Sequence, residues 1–430
     1  MSRFQCKIIS RNTLAKNDSK LKKSFGASIR NIEVFLLGCL VVSTLLFPKA
    51  GINANGVPLT VNLSMVLIVI VVSIFRFFQQ ISLITLIVIS LLIPWFFLVN
   101  VRSNSLVENR ILKFGVVYWF VIVPLFWIAI EILLRNNRKV PLKIVLYCSF
   151  AATFIGLGQY LYGLKFLNIP GLTLAWGDTY ERKNLTLFDS GISIGTKIPS
   201  TFQGGNIWGQ CSALILVWII VFQVWKVYEN RLMKMAVVLA PIIAILLSFS
   251  RTAVIAALIT ILFYIISNYK ITLRRVIGSL FCILVLLISQ PISLERFSLN
   301  SLTDSAGRTT QWRIGFKNYS LLDWLIGRST VMPDSAYHME GLLGIFGQVG
   351  IFGFLLLSFV WIQYFGGQFK WLGLCIIICL FLDSTYVSPP LLLIPAVLKL
   401  ASKDLGRDVN LDLGEEIPLS RSDQKKERSN

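Results

Sequence analysis

The chain has 430 residues, 55% of them hydrophobic and only 14% charged, against roughly a quarter charged in a soluble domain. With a mean hydropathy of +0.72, this excludes an ordinary soluble enzyme and points to an integral membrane protein. Lys and Arg total 41 against 21 Asp and Glu, a net charge of +20; in a membrane protein that excess belongs to cytoplasmic loops, so no nucleic-acid partner is expected.

Residues 1–31 carry Arg3, Lys7, Arg11, Lys16, Lys20, Lys22, Lys23 and Arg30 ahead of an apolar run with no small-residue cleavage site. They read as a retained cytoplasmic tail. A hydrocarbon core of about 30 Å takes about 20 apolar residues per helix. The hydropathy pattern then gives about twelve spans, near 32–48, 59–75, 81–99, 115–134, 142–164, 206–225, 235–250, 252–268, 275–291, 341–364, 370–384 and 386–400. The seventh and eighth are parted only by "SFSRTA", and the last two are short enough to form one re-entrant hairpin. The expected fold class is therefore all-α and polytopic, with a transmembrane domain over 32–400 and a polar, disordered tail over 401–430. With the N-terminus inside, the short inner loops hold most of the Lys and Arg, as in "RNNRKVPLK" and "NYKITLRR". Both termini are then cytoplasmic. Two outward loops, 165–205 and 292–340, are too long to be turns, and long loops carry function.

Seven cysteines lie at 6, 39, 148, 211, 282, 375 and 379, all but Cys6 in apolar runs. They suit packing, and neither a disulfide framework nor a zinc site is indicated.

The first long loop ends in "KIPSTFQGGNIWGQ" (197–210), where two glycines and Asn206 open a helix whose backbone donors can hold an anion, with Lys197 the nearest cation. The same dipeptide is ordinary turn chemistry. Arg251, in "AILLSFSRTAVIAALIT", is flanked by Ser248, Ser250 and Thr252. An arginine there either meets an anion such as phosphate or snorkels to headgroups. In "GRTTQWRIGFKNYSLLDWLIGRST" (307–330), Arg308, Arg313, Lys317 and Arg328 alternate with Trp312, Phe316, Tyr319 and Trp324. A helix there shows a basic and an aromatic stripe, fit for an anionic membrane surface or for a sugar diphosphate. The loop closes on His338, the only histidine, between Asp334 and Glu340. It reads as a general base oriented by a carboxylate, or as a surface histidine. Glycines at 341, 344, 347, 350 and 353 follow, a stripe that admits close helix contact. There is no GxxxxGK[ST], GxGxxG or HExxH, and no DxD on the outward loops, which disfavours nucleotide-driven pumping and metal-dependent transfer.

In this order, "STFQGGNIWGQ", "SRTA", "GRTTQWRIGF" and "AYHMEGLLGIFGQVGIFG" resemble the O-antigen polymerase and O-antigen ligase superfamily of bacterial envelope glycosyltransferases, over roughly residues 195–355. The resemblance implies a GT-C-like multi-span fold in the inner membrane with its site on the periplasmic face. It implies a metal-independent transferase without cofactor, acting on undecaprenyl-diphosphate-linked glycans among membrane lipids, with a chain-length regulator protein as partner. Arg251 matches the arginine that engages the lipid diphosphate, with Arg308 or Arg313 beside it. His338 matches the histidine that activates the acceptor hydroxyl, near Asp334 and Glu340. Lys197 stands where many members have an arginine before Gly-x-Phe, and here Ser200 replaces the glycine. The implied function is polymerisation of repeat units into O-antigen, capsule or exopolysaccharide. Ligation to lipid A core is the alternative within the family, and a polysaccharide flippase or secondary transporter is the alternative outside it.

Overall fold

The computed structural model describes residues 33–54, 57–77, 87, 90–95, 98, 118–136, 138–164, 166, 167, 169, 171–173, 197–202, 204–268, 316, 317, 319–327, 341–382, 389–402 and 405. The N-terminal tail, the C-terminal tail apart from residues 401, 402 and 405, the expected span at 275–291, and Arg308, Arg313, Asp334, His338 and Glu340 lie outside the described residues. Of the residues described, 81% are helical, which fixes the class as all-α.

The helices are α1 (Glu33–Leu45), α2 (Val61–Phe77), α3 (Val123–Arg135), α4 (Leu142–Tyr162), α5 (Gly205–Val221), α6 (Arg231–Leu247), α7 (Arg251–Asn268), α8 (Leu321–Ile326), α9 (Gly341–Tyr364), α10 (Lys370–Leu382) and α11 (Pro389–Ala401). Three segments, Leu142–Tyr162, Arg251–Asn268 and Leu342–Tyr364, are long and apolar enough to cross a membrane, and the chain is a helical membrane protein. They coincide with three expected spans. The expected spans near 32–48, 59–75, 206–225, 370–384 and 386–400 fall on shorter apolar helices.

An antiparallel hairpin, β1 (Gly51–Ala54) and β2 (Val57–Thr60), joins α1 to α2. It was not expected from the apolar pattern, although Asn55-Gly56 between two short strands is the sequence of a two-residue hairpin turn. Its first strand continues onto the start of the first long loop through Gly51 N–H, which donates to the Gly171 carbonyl at 2.9 Å.

Helix α5 is the centre of the molecule. It is apolar on every side, as suits a helix covered by protein or lipid, and here protein covers it. All its residues but Asn206, Ile207 and Ile220 are buried. Helices α6, α7, α10 and α11 surround it. Trp218 Nε1 donates to Ser402 Oγ at 2.6 Å just past α11, so the indole N–H is satisfied inside the core.

Contacts near the helix ends sort the fold into two poles. At one, Arg138 pairs with Glu33 at 2.7 Å, Lys399 pairs with Glu131, Phe222 meets Phe369 and Tyr264 meets Trp371. Tyr264 is near the end of α7, and Trp371 is at the start of α10. Phe365, just past α9, also packs on α10 near its start, at Gly373. Helices α7 and α9 therefore both begin at the opposite pole, where α5 also begins.

Candidate functional site

At that second pole the two sequence motifs meet. Residues 197–202 cross over the start of α5, held on both sides. Ile198 N–H donates to the Leu247 carbonyl at the end of α6 at 3.4 Å, and Ile198 is fully buried. On the α4 side, Ser200 Oγ donates to the Ala152 carbonyl at 2.6 Å, and Gln159 Nε2 donates to the Ser200 carbonyl at 3.1 Å. Ala152 and Gln159 are two turns apart, on one face of α4. Between these anchors the chain makes a tight turn, with Phe202 N–H donating to the Pro199 carbonyl at 2.9 Å. Ser200 takes φ +50° in it, a left-handed conformation that a residue with a Cβ adopts at a cost.

The turn delivers Lys197 to the α5 N-terminus. Lys197 Nζ donates to Asn206 Oδ1 at 2.8 Å. The approach requires glycine at 205: a Cβ there would stand 2.7 Å from Lys197 Cβ and 2.8 Å from the Ser248 carbonyl oxygen. No side chain caps α5, whose N-cap is Gly204 in an extended conformation. The first intrahelical bond is from Trp208 N–H to the Gly204 carbonyl at 3.1 Å. The N–H groups of Gly205, Asn206 and Ile207 precede it and gather the positive end of the helix dipole.

Arg251 opens α7 beside this end. The α6–α7 link is three residues long, with Phe249 at φ +48°. Ser248 Oγ donates to the Ile245 carbonyl at 2.7 Å and accepts from Ser250 N–H at 3.2 Å. Ser250 Oγ accepts from Ala253 N–H at 3.3 Å, an N-cap. These hydroxyls are buried and shape the turn that sets Arg251 at the start of α7. The turn lies against α5 at Gly209, where a Cβ would overlap Ser248 Oγ and stand 2.9 Å from Ser250 Cβ. Helices α5 and α7 thus run parallel with their positive ends together, and Lys197, exposed, and Arg251, half-buried, stand at that end. Two helix N-termini with an ammonium and a guanidinium make a place for an anion of more than one charge.

A third cation sits deeper at the same pole. Lys49, past the end of α1, is buried and donates to the Thr173 carbonyl at 3.4 Å. Burial pushes its ammonium down to about 7.

Loop 292–340 is described only at 316, 317 and 319–327. The aromatics among these residues do not form an open stripe. Phe316 stacks on Trp324 at 4.9 Å, and Tyr319 meets both edge-on. The cluster rests on Phe346 of α9. Helix α8 is fixed at its start by a reciprocal cap, Ser320 with Asp323. Its end docks into a break in α9 at Gly350, where φ is +64° and ψ −174°. Carbonyls at the break are met from outside the helix: Tyr319 OH donates to the Gly347 carbonyl at 3.1 Å and Trp95 Nε1 to that of Val349 at 3.1 Å.

Of the expected site residues, Lys197 and Arg251 are brought to one place from motifs more than fifty positions apart. Gln159 was missed: a glutamine near the end of an apolar helix has no motif, and only its fold partner reveals it. No family model matches the chain, and neither curated proteins nor solved structures yield a match.

Proposed function

We propose that the protein is a membrane glycosyltransferase that polymerises undecaprenyl-diphosphate-linked oligosaccharide repeat units. The observation that carries the reading is the shared positive end of α5 and α7 with Lys197 and Arg251 beside it. A lipid diphosphate is a multivalent anion delivered at a membrane face, and Arg251 is the first residue of a helix able to span. A further support comes from Ser200. The resemblance expects glycine at this position, and the backbone here takes the left-handed conformation that favours glycine.

In this reading the N-terminal tail and the Glu131–Lys399 pole face the cytoplasm, and the Arg251 pole faces the periplasm. The donor diphosphate lies against Lys197 and Arg251, with Arg308 or Arg313 of the second loop closing on it. His338 takes the proton from an acceptor sugar hydroxyl, and Asp334 or Glu340 orients the imidazole. The hydroxyl oxygen attacks the anomeric carbon of the donor chain. The bond from that carbon to the phosphate oxygen breaks, and undecaprenyl diphosphate leaves with both electrons. Stabilising the leaving charge is the larger contribution, with single preorganised donors contributing about 10²–10³-fold. General-base catalysis contributes about 10²–10⁴-fold.

One feature favours a transporter instead: a membrane helix broken in its middle, as α9 is at Gly350, commonly lines a transport site. The carbonyls of Gly347 and Val349 at that break are engaged by Tyr319 and Trp95, and the cations stand at a helix end, which supports the transferase. Complementation of a surface-polysaccharide deletion strain tests the reading. Arg251→Ala and His338→Ala are expected to leave a single repeat unit on its acceptor. Long chains of normal length and amount with both variants overturn it. Polymer that accumulates on the lipid carrier without reaching core indicates a ligase, and repeat units trapped on the cytoplasmic face indicate a flippase.

A further inference from the structure

Of the two anion-facing residues, Lys197 stands on a segment that is short and strained, held by α6 at Ile198 and by α4, a helix that no motif marks, at Ser200. Lys197 is three residues before the turn at Ser200. The turn is fixed to α4 by two bonds, Ser200 Oγ to the Ala152 carbonyl and Gln159 Nε2 to the Ser200 carbonyl. Gln159 and Ser200 are 3% and 1% exposed. Among the described residues, Gln159 Oε1 meets no hydrogen-bond donor. A glutamine kept for stability alone is a poor choice here, because half of its amide is buried without compensation. Its donor half meets the one carbonyl whose direction is set by the left-handed residue. If the Ser200 peptide rotated away, the chain would relax out of φ +50° and Lys197 would move off the α5 N-terminus.

We infer that Gln159 and Ser200 are positioning residues for Lys197, holding the 197–202 turn on α4 so that the lysine ammonium stands at the α5 N-terminus and takes one phosphate of a diphosphate. The part concerning the phosphate rests on the function proposed above; the part concerning the lysine rests on the turn alone. Gln159 itself touches no ligand. Its influence passes through Lys197, so the two residues are coupled: once Lys197 is gone, Gln159 has nothing left to position.

The test is a double-mutant cycle on the full chain in lipid nanodiscs with two readouts. One is affinity for inorganic pyrophosphate, and the other is the rate at which an amine-reactive reagent modifies Lys197, followed by mass spectrometry. Gln159→Met is expected to weaken pyrophosphate about 10-fold, the effect of losing one charge-assisted bond, and to leave the affinity of Lys197→Ala unchanged. It is also expected to speed modification of Lys197 severalfold, because the contact with Asn206 is released. Ser200→Ala carries the same cycle if Gln159→Met does not fold. Equal weakening in both backgrounds means a general structural role and overturns the inference, as does an unchanged modification rate. If the unaltered protein binds no pyrophosphate, the anion site fails, and the modification rate still decides whether α4 positions Lys197.

Discussion

Ser200 holds an unfavourable backbone in return for two contacts, and that balance can be separated by substitution. Ser200→Ala keeps the Cβ and its left-handed cost while losing the hydroxyl bond to Ala152. Ser200→Gly loses the same bond but removes the cost. The glycine variant is therefore expected to be the more stable of the two by about 1 kcal/mol, read as a melting midpoint a few degrees higher in detergent. The order reverses if the serine hydroxyl were incidental and the turn free to change conformation. Lys49 gives a second prediction at this scale. Its folded pKa of about 7 is below the ordinary 10.5, so between these values the unfolded chain binds more protons than the folded one. Stability then rises with pH from about 7 to 10.5, by up to about 1.4 kcal/mol per pH unit, and is flat in this group below 7. The melting midpoint is expected to climb between pH 7 and 9, and Lys49→Met to remove that climb while raising stability at pH 7. Ser200 was marked in the sequence by the glycine it replaces, but Lys49 was not: it reads as the polar edge of a span, and only the fold shows it enclosed behind the loop at Thr173.

Among the elements, the α8–α9 junction carries the clearest consequence of a glycine. At Gly350 the backbone is left-handed, and a Cβ would stand 2.5 Å from Gly327 N and 2.5 Å from the Leu325 carbonyl oxygen. Gly350→Ala therefore cannot keep both the break and the docked α8. Either outcome releases the second long loop from α9. The expected result is a destabilised protein, by about 2 kcal/mol or more, whose 316–327 region is cut by protease in intact outward-facing membranes. Gly344→Ala, in the same stripe but outside the break, is expected to leave the protease pattern unchanged. The glycine spacing was legible as a close-packing stripe. The break was not, because period and composition do not say which glycine leaves the helical region. The same limit explains the aromatics of 312–324, which the sequence predicts as a stripe and of which Trp312 lies outside the described residues. The short capped helix instead folds Phe316, Tyr319 and Trp324 onto one another. Where apolar length alone decides, reading was easier: α4, α7 and α9 lie where hydropathy put them, and the three-residue "SFS" link separates α6 from α7.

For the molecule as a whole, the charged groups among the described residues gather at two poles separated by the length of α5, about 25 Å for its 17 residues. One pole is closed by ion pairs. Lys399 reaches Glu131 and the Tyr364 carbonyl at 2.7 Å, with its ammonium 4.2 Å from the centre of the Tyr364 ring. This binds α3, α9 and α11 together. The Glu131 side chain is 34% exposed, so the charge left by Lys399→Met is partly solvated and the change is expected to cost about 1 kcal/mol, most of it recovered when Glu131→Leu is added. The other pole has a different composition, with two helix N-termini, Lys197 and Arg251, and the ends of both long loops. Such a division makes one face structural and the other able to receive an anion, and it requires the two faces to lie on opposite sides of the bilayer. The requirement is checked by single cysteines placed in a cysteine-free background, one at Lys197 and one at Lys370, both exposed or half-exposed positions at opposite poles. In intact cells opened only at the outer membrane, an impermeant maleimide is expected to label Lys197→Cys at once and Lys370→Cys only after the inner membrane is broken. Labelling of both from one side would mean that α5 does not span, and the anion site would then lack a membrane face from which a lipid-linked sugar could reach it.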